Sequence, residues 1–220
     1  MKYNEIIKYK LIILMANSED KSIDLKAILV GESGVGKTNL INTSLGKEFN
    51  PNINASPTNS YSKKEFEINK KIYSVDLWDT VGQESYRGIT KMLINNSKIV
   101  IFVYDITYKK SLEELSEYWL KTVKEELGDK FIGGVVGNKI DLEETAKDIV
   151  KEEEGKKFAE SNGFKFALVS AKDQPSLFTV FLEELIKQYV GIEDHFENKK
   201  RSDSIILKAK INAKKQKSCC

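Results

Sequence analysis

One glycine-rich segment has the residue types and spacing of a phosphate-binding loop. Residues 31–38 read GESGVGKT and lie between an apolar run and a helical pattern. Glycines let the backbone curve so that successive N–H groups point at phosphate oxygens, and the N-terminus of the following helix adds positive charge. Lys37 would reach the outer phosphates, and the Thr38 hydroxyl would bind Mg²⁺. The predicted phosphate-contacting residues are Gly31, Glu32, Ser33, Gly34, Val35, Gly36, Lys37 and Thr38.

A second motif, NKID at residues 138–141, indicates which base is bound. The Asp141 carboxylate can accept hydrogen bonds from the ring N–H and the exocyclic amine of guanine, whereas adenine has no matching pair of donors. A site built for those donors rejects the wrong base because its buried polar groups would stay unpaired. We expect Asn138 to brace the surrounding loops and the aliphatic stem of Lys139 to cover the face of the base.

The motif WDTVGQE, at residues 78–84, supplies candidates for a hydrolytic step. Asp79 can hold a magnesium-bound water, Gly82 can donate its N–H to a γ-phosphate, and Gln83 can orient the attacking water. Gln83 and Lys37 are therefore the predicted catalytic residues.

The short motif SAK, at residues 170–172, gains weight from its position after the last apolar run. There the backbone N–H of Ala171 could contact the guanine carbonyl. Because ligands bind open parallel sheets beyond the carboxyl ends of the strands, all four motifs stand where a ligand site is expected. The predicted base-contacting residues of this motif are Ser170, Ala171 and Lys172.

The elements that must position these motifs alternate between strand and helix. Apolar runs predict buried strands at residues 25–30, 72–78, 99–104, 131–136 and 164–169. Helical periodicity predicts helices at residues 37–45, 111–127, 150–161 and 176–190, with Ser111 and Ser176 as N-caps. This alternation predicts the α/β class, with a mostly parallel central sheet and helices on both faces.

Charge and cysteine are unevenly distributed along the 220 residues. The chain carries 35 basic and 33 acidic residues, but from Asn198 onward there are eight basic residues and one acidic residue. The mildly acidic remainder argues against a nucleic-acid binder, which would need a basic face on the fold itself. The two cysteines are Cys219 and Cys220, so no disulfide staples the fold. These shifts divide the chain into a lead-in at 1–23, a domain at 24–191 and a basic tail at 192–220.

Taken together, the motifs resemble those of a known superfamily. Residues 24–191 resemble the Ras superfamily of small GTPases, because they contain the motifs GESGVGKT, DTVGQE, NKID and SAK in that order. The chain is most similar to the Rab family, through its ending KSCC, the run FVYDIT at 102–107 and EEGKKFA at 153–159. A Ras- or Rho-type CaaX ending would need a cysteine where Lys217 stands. The resemblance implies a P-loop NTPase G domain that binds GTP or GDP with Mg²⁺, hydrolyses GTP and acts as a switch in vesicle trafficking.

The resemblance also implies how such a protein reaches a membrane. Cys219 and Cys220 would carry geranylgeranyl groups, and the lysine-rich tail would add attraction to an anionic leaflet. The expected partners are an exchange factor, a GTPase-activating protein, a GDP-dissociation inhibitor and effectors, with no nucleic acid. We expect a cytoplasmic monomer that cycles to the cytosolic face of an intracellular membrane.

The first switch region departs from the family pattern. Family members carry a threonine after the first helix whose hydroxyl binds Mg²⁺ in the GTP state. Ungapped spacing favours Ser56 for this role, and residue type favours Thr58, which we prefer. With Thr38 and Asp79 it would complete the metal site. Phe49 stands where relatives place an aromatic edge against the guanine; the alternative is a core position closing the first helix.

Other departures concern the activity, the effectors and the start of the chain. Val81 replaces the usual alanine of DTAGQ, and its β-branched side chain is stiffer and larger, so we expect slow intrinsic hydrolysis. Relatives have an aromatic patch that binds effectors. Tyr61 and Trp78 remain of this patch, and Leu93 replaces its third aromatic residue. The alternative functions are a membrane-tethered scaffold that binds guanine nucleotide with little turnover, or a Ras- or Rho-type signalling GTPase. Either Met15 is the initiator, or the residues before it form an extension.

Overall fold

The computed structural model describes residues 22–53, 60–80 and 87–195. The strands within them are β1 (Ile23–Val30), β2 (Ser60–Ile68), β3 (Lys71–Asp79), β4 (Ile99–Asp105), β5 (Ile132–Asn138) and β6 (Lys165–Val169). The helices are α1 (Lys37–Ser44), α2 (Arg87–Ile94), α3 (residues 109–127, with a π-helical turn at Leu115–Trp119), α4 (Glu152–Ser161) and α5 (residues 175–195). A 3₁₀ turn lies at Ile140–Leu142. None of the helices in this part of the chain has both the length and the apolar composition to cross a bilayer.

The six strands form one sheet in the order β2-β3-β1-β4-β5-β6. β1, β3, β4, β5 and β6 run parallel to one another, and β2 pairs antiparallel with β3. The predicted α/β class with a mostly parallel sheet is confirmed, and each of the five apolar runs overlaps one of the parallel strands. The carboxyl ends of these strands therefore meet at one edge of the sheet, where the motifs follow them.

The sequence did not predict β2, the antiparallel strand at the edge of the sheet. Its residues SYSKKEFEI alternate in polarity, and Phe66 and Ile68 are buried near its end. Asn69 and Lys70 connect it to β3 with φ values of 54° and 63°, the geometry of a two-residue hairpin turn. A half-exposed edge strand lacks the continuous apolar run that identifies a strand buried on both faces. α2 was also missed, because eight residues are too few to establish a helical period.

The core consists of two layers, one on each face of the sheet. All seven residues of β4 are buried. Because side chains alternate along a strand, Ile101 and Val103 face one layer, and Phe102 and Tyr104 face the other. Side chains of α1 and α5 complete the first layer, and those of α3 and α4 complete the second. Helices therefore cover both faces of the sheet, as predicted.

The two predicted N-caps are wrong, because both helices begin earlier. α3 begins at Lys109, so Ser111 lies in its first turn, fully buried, and its hydroxyl accepts a hydrogen bond from the Asp105 N–H at 3.0 Å. Ser111 thus connects the end of β4 to α3. α5 begins at Pro175, so Ser176 lies inside the helix. Proline is favoured at the first helical position because the N–H that it lacks would have no partner there.

A glycine in β5 makes room for a cluster of aromatic rings. A Cβ on Gly133 would lie 2.1 Å from the ring of Phe164. That ring stacks on Phe102, with centroids 5.3 Å apart and planes inclined by 10°. Phe131 contacts both of these rings, and Phe158 contacts Phe102. No side chain can be added to Gly133 without displacing the stacked rings.

We expect Gly133→Ala to lower the free energy of unfolding by about 1–3 kcal/mol, because overpacking forces core side chains out of their preferred positions. Denaturant unfolding, with any bound ligand at a fixed concentration, measures the change. Gly191→Ala is the matched control, since a Cβ there meets nothing within 4 Å and alanine is favoured over glycine in a helix. A Gly133→Ala protein as stable as this control would contradict the packing.

Candidate nucleotide site

A cavity of about 580 Å³ lies where the β1–α1 loop meets the segments that follow β5 and β6. The residues that line it are Ser33, Gly34, Gly36, Lys37, Thr38, Asn39, Phe49, Pro51, Ile53, Thr80, Asn138, Lys139, Asp141, Leu142, Ala171 and Lys172. The structure thus brings residues of the predicted phosphate, base and metal sets into one pocket. Its volume lies in the range of sites that enclose small organic ligands.

The β1–α1 loop requires glycine at two positions. Gly31 has φ +148°, and a Cβ there would lie 2.1 Å from the Val103 carbonyl oxygen. Gly36 has φ +98°, and a Cβ there would lie 2.3 Å from the side-chain nitrogen of Asn138. L side chains rarely adopt either backbone conformation. The curve of the loop is therefore fixed by its close approach to β4 and β5 as well as by its sequence.

Lys37 is a buried cation at the phosphate end of the cavity. It is 5% exposed, and its Nζ donates to the carbonyl oxygens of Gly31 and Glu32, each at 2.8 Å. Burial lowers the pKa of Lys37 to about 8, and the Asp79 and Glu32 carboxylates partly oppose that shift. An anion in the cavity would favour the charged ammonium, so the site fits a phosphate group.

Thr38 and Asp79 bring two oxygen atoms together beside Lys37. The Thr38 hydroxyl donates to Asp79 Oδ2 at 2.6 Å. Asp79 is the last residue of β3 and is 3% exposed. Hydroxyl and carboxylate oxygens, acting directly or through water, are the hard ligands that Mg²⁺ prefers. This donor set therefore fits Mg²⁺ next to a phosphate held by Lys37.

The Asn138 side chain links the two ends of the cavity. Its Nδ2 donates to the Val35 carbonyl at 2.9 Å, and its Oδ1 accepts from the Ala171 N–H at 3.2 Å. These are the contacts expected of a brace between loops. The Ala171 N–H, which the sequence suggested for a guanine carbonyl, is donated to Asn138 in this structure, although Ala171 lines the same cavity.

Asp141 lies on the 3₁₀ turn after β5, where Ser170 fixes its carboxylate. Ser170 Oγ donates to Asp141 Oδ1 at 2.6 Å. The same oxygen of Ser170 accepts from the N–H groups of Lys172 at 3.2 Å and Asp173 at 2.9 Å. The carboxylate keeps acceptor capacity toward a ligand in the cavity, because each of its oxygens has two lone pairs. The SAK and NKID segments therefore form one unit at the base end.

The structure adds residues that the motifs did not indicate. Asn39 Nδ2 donates to the Asn50 carbonyl at 3.0 Å, and the Asn50 N–H donates to Asn39 Oδ1 at 3.2 Å. This reciprocal pair holds the segment carrying Phe49 against α1, and Phe49 both lines the cavity and packs against the core. Pro51 and Ile53 of the same segment also line the cavity. No motif signals these contacts, because they depend on how the segment folds back over α1.

Several predicted functional residues lie outside the described part of the chain. They are Ser56, Thr58, Val81, Gly82, Gln83, Cys219 and Cys220. Their roles in metal binding, hydrolysis and lipid attachment stay predictions. The same holds for the choice of Met15 as the initiator, since the description begins at residue 22.

Comparison with known proteins identifies the family. The Ras family model matches residues 26–190. The chain belongs to the Ras family. It is 30% identical over 210 residues to the Ras-related protein RABA1b of Arabidopsis thaliana, which covers 92% of this chain and 96% of that protein. It is 31% identical over 189 residues to Rab-25 of Oryctolagus cuniculus (86% and 87% covered) and 33% identical over 165 residues to Rab-30 of Homo sapiens (75% and 80% covered).

The resemblance drawn from the motifs is confirmed, and the protein is a divergent, Rab-like small GTPase. Ras-family GTPases bind GTP and GDP, typically with Mg²⁺. That requirement agrees with the chemistry at the two ends of the cavity. Lys37, Thr38 and Asp79 offer a cation and hard oxygens at one end, and Asp141 offers a fixed carboxylate at the other.

Proposed function

We propose that this small GTPase is a Rab-like switch, which hydrolyses GTP with Mg²⁺ and recruits trafficking effectors to a membrane in its GTP state. The cavity carries the proposal. The cavity, of about 580 Å³, has a buried lysine and the Thr38–Asp79 oxygen pair at one end and the Asp141 carboxylate at the other. These groups suit the phosphates and the base at the two ends of a nucleotide. The relatives named as Ras-related Rab proteins support the same function.

At the phosphate end, positioning and charge do most of the catalysis. Lys37 pairs with the outer phosphates while the N–H groups of the β1–α1 loop bind their oxygens. Thr38, Asp79 and Thr58 would hold Mg²⁺, which when bound would supply positive charge to offset that of the phosphates. Gln83 orients a water toward the γ-phosphorus, and the bond from that phosphorus to the bridging β–γ oxygen breaks as the water oxygen adds. GDP and inorganic phosphate then leave.

At the base end, hydrogen bonding selects guanine. Asp141 accepts from the ring N–H and the exocyclic amine, and Ser170 keeps its carboxylate in place at 2.6 Å. The aliphatic stem of Lys139 covers one face of the base, and Phe49 sets an aromatic edge against it. Adenine leaves the Asp141 carboxylate without matching donors, which is costly for a partly buried charge.

A pair of stacked aromatic rings supports the effector role. Tyr61 and Trp78 have ring centroids 5.1 Å apart, and Tyr61 is 58% exposed. Lys26 Nζ lies 4.7 Å from the centroid of the Trp78 ring. Aromatic side chains that combine apolar area with rigidity are favoured at protein interfaces. Leu93 stands where relatives carry an aromatic, so the effectors differ from those of typical Rab proteins.

The tail provides the membrane tether. Cys219 and Cys220 carry geranylgeranyl groups, and the basic residues from Asn198 onward bind an anionic leaflet. An exchange factor, a GTPase-activating protein and a GDP-dissociation inhibitor control the cycle between cytosol and membrane. γ-Phosphate orders the switch loops, at Thr58 and at residues 79–87, and hydrolysis releases them.

A second candidate function is a membrane-tethered scaffold that binds guanine nucleotide without turnover. Val81, in place of the usual alanine beside Gln83, favours this alternative because a β-branched residue restricts the backbone near the attacking water. The presence of Gln83 and Lys37 opposes it. A turnover measurement separates the two functions.

We expect wild-type protein to bind GDP at least about 100-fold more tightly than ADP, and about tenfold more tightly than inosine diphosphate, which lacks the exocyclic amine. In Asp141→Asn the amide N–H₂ faces the guanine amine, so the preference for GDP over inosine diphosphate disappears. Calorimetric titration with Mg²⁺ measures all three affinities. Asp148→Asn, the same charge change at an exposed position seven residues away, is the control and keeps the wild-type preference. A wild-type protein that binds ADP as tightly as GDP, or more tightly, would refute guanine selection.

We expect intrinsic GTP hydrolysis slower than about 10⁻³ s⁻¹, with a further decrease in Gln83→Leu because the attacking water loses its orienting group. Single-turnover measurement on GTP-loaded protein gives the rate. Val81→Ala restores the usual residue and raises the rate. A fast unassisted rate in the wild type that Gln83→Leu abolishes would contradict slow intrinsic hydrolysis. Absence of turnover in both the wild type and Val81→Ala would favour the scaffold function.

We expect mass spectrometry of the protein isolated from its own cells to find geranylgeranyl groups on Cys219 and Cys220. Replacing both by serine moves the protein from the membrane fraction to the soluble fraction, since the basic residues alone bind a membrane weakly and in a salt-dependent way. A variant in which only Cys219 is replaced keeps one cysteine that can accept a geranylgeranyl group, so it should bind the membrane with intermediate strength. Unmodified cysteines in the native protein would reject the lipid tether.

A further inference from the structure

A salt bridge stands behind the base end of the cavity, and its acidic member belongs to none of the nucleotide motifs. Lys139 Nζ lies 2.6 Å from Asp105 Oδ2. Lys139 lines the cavity, and Asp105 is not among the lining residues. The Asp105 side chain is 9% exposed and that of Lys139 is 31% exposed. The carboxylate therefore contacts the charged tip of the lysine from a buried position outside the pocket.

The orientation of the Asp105 carboxylate is fixed by its own loop. Asp105 Oδ1 accepts from the Thr107 N–H at 2.8 Å and from the Thr107 hydroxyl at 2.7 Å. The backbone N–H of Asp105 donates to Ser111 Oγ at 3.0 Å. With Oδ1 occupied in this way, Oδ2 is the oxygen presented to Lys139. The loop between β4 and α3 thus holds a charge at a defined point.

Lys139 has a backbone conformation that needs support from its contacts. Its φ is +71°, in the left-handed region that is unfavourable for a residue with a long side chain. Asp105 and Asn138 are opposite each other at the ends of β4 and β5, and the Ile106 N–H donates to the Asn138 carbonyl at 3.1 Å. Both members of the salt bridge therefore project from strand ends whose spacing is fixed.

We propose that Asp105 is a positioning residue for the guanine nucleotide, acting through Lys139. By holding the ammonium at its far end, Asp105 keeps the methylene stem of Lys139 along the base and so slows release of the nucleotide. Without Asp105 the lysine regains rotamer freedom, and its tip turns toward water. The inference rests on the proposed function, because it assigns a role in the same base pocket.

The test measures the dissociation rate of GDP from the full chain in the presence of Mg²⁺. Asp105→Asn keeps the size of the side chain and the oxygen that Thr107 binds, and removes the charge that Lys139 needs. We expect it to release GDP about tenfold faster. Lys139→Met keeps an unbranched stem without an ammonium, and we expect a similar increase. The double variant releases GDP no faster than Lys139→Met alone, because Asp105 acts through the ammonium.

The control variant breaks a different salt bridge, between the helix that follows Asp105 and the next helix along the chain. Lys109 and Glu154 lie 3.2 Å apart on α3 and α4, and Glu154→Gln should leave the release rate unchanged. A merely structural role for Asp105 would instead speed release by the same factor with and without the Lys139 ammonium. Comparing the two backgrounds keeps the test valid even if Asp105→Asn lowers the melting temperature.

Two results would overturn the inference alone. One is a wild-type release rate in Asp105→Asn, and the other is a double variant in which the two effects multiply. A wild-type protein that does not prefer GDP to ADP would overturn the proposed function and this inference with it. The wild-type affinity measurement therefore separates failure of the positioning role from failure of the nucleotide site.

Discussion

The side-chain amide of Asn138, the last residue of β5, connects two loops that follow different strands of the sheet. It contacts the Val35 carbonyl of the β1–α1 loop and the Ala171 N–H after β6, and it is 1% exposed. Gly36 lacks the Cβ that would block this approach. Breaking the contact would leave buried polar groups unpaired in a region of low dielectric constant, which costs more than the bond contributes when made. One buried side chain therefore connects the two ends of the cavity, so a nucleotide that bridges them would meet loops already held in place.

Charged residues of the site are buried close together at one end of the cavity. Lys37 is buried, its pKa is lowered by that burial, and its hydrogen bonds go to two backbone carbonyls. Asp79 is buried beside Thr38. A phosphate would favour the charged form of Lys37, and the oxygens of Thr38 and Asp79 suit a divalent cation, so binding of such a ligand would stabilise the folded protein. Asp105 sets the direction of a charged side chain, and by the same reasoning it affects the dissociation rate of a bound nucleotide.

Much of the sheet could be predicted because five of its strands are parallel and buried. A strand covered on both faces needs a continuous apolar run, as in β4, and such runs are visible in a single sequence. β2 was missed because an edge strand exposes alternate side chains such as Tyr61 and Lys63, and α2 because it is short. The position of Ser111 suggested a cap, but the backbone of α3 begins two residues before it. The capping propensity of Ser111 did not decide where α3 begins, and its hydroxyl instead contacts the end of β4.

By itself the sequence identified the candidate phosphate loop and the NKID motif, the sheet class and the family, because each is visible in residue types and in their order and spacing along the chain. The tertiary structure alone decided the contacts that join distant residues. Asp105 reaches Lys139 because β4 and β5 pair in a register that places Asp105 opposite Asn138. Asn39 reaches Asn50 because the segment after α1 turns back along the helix. Spacing along a chain can identify which groups a site contains, but pairing register and chain reversal decide which of those groups touch.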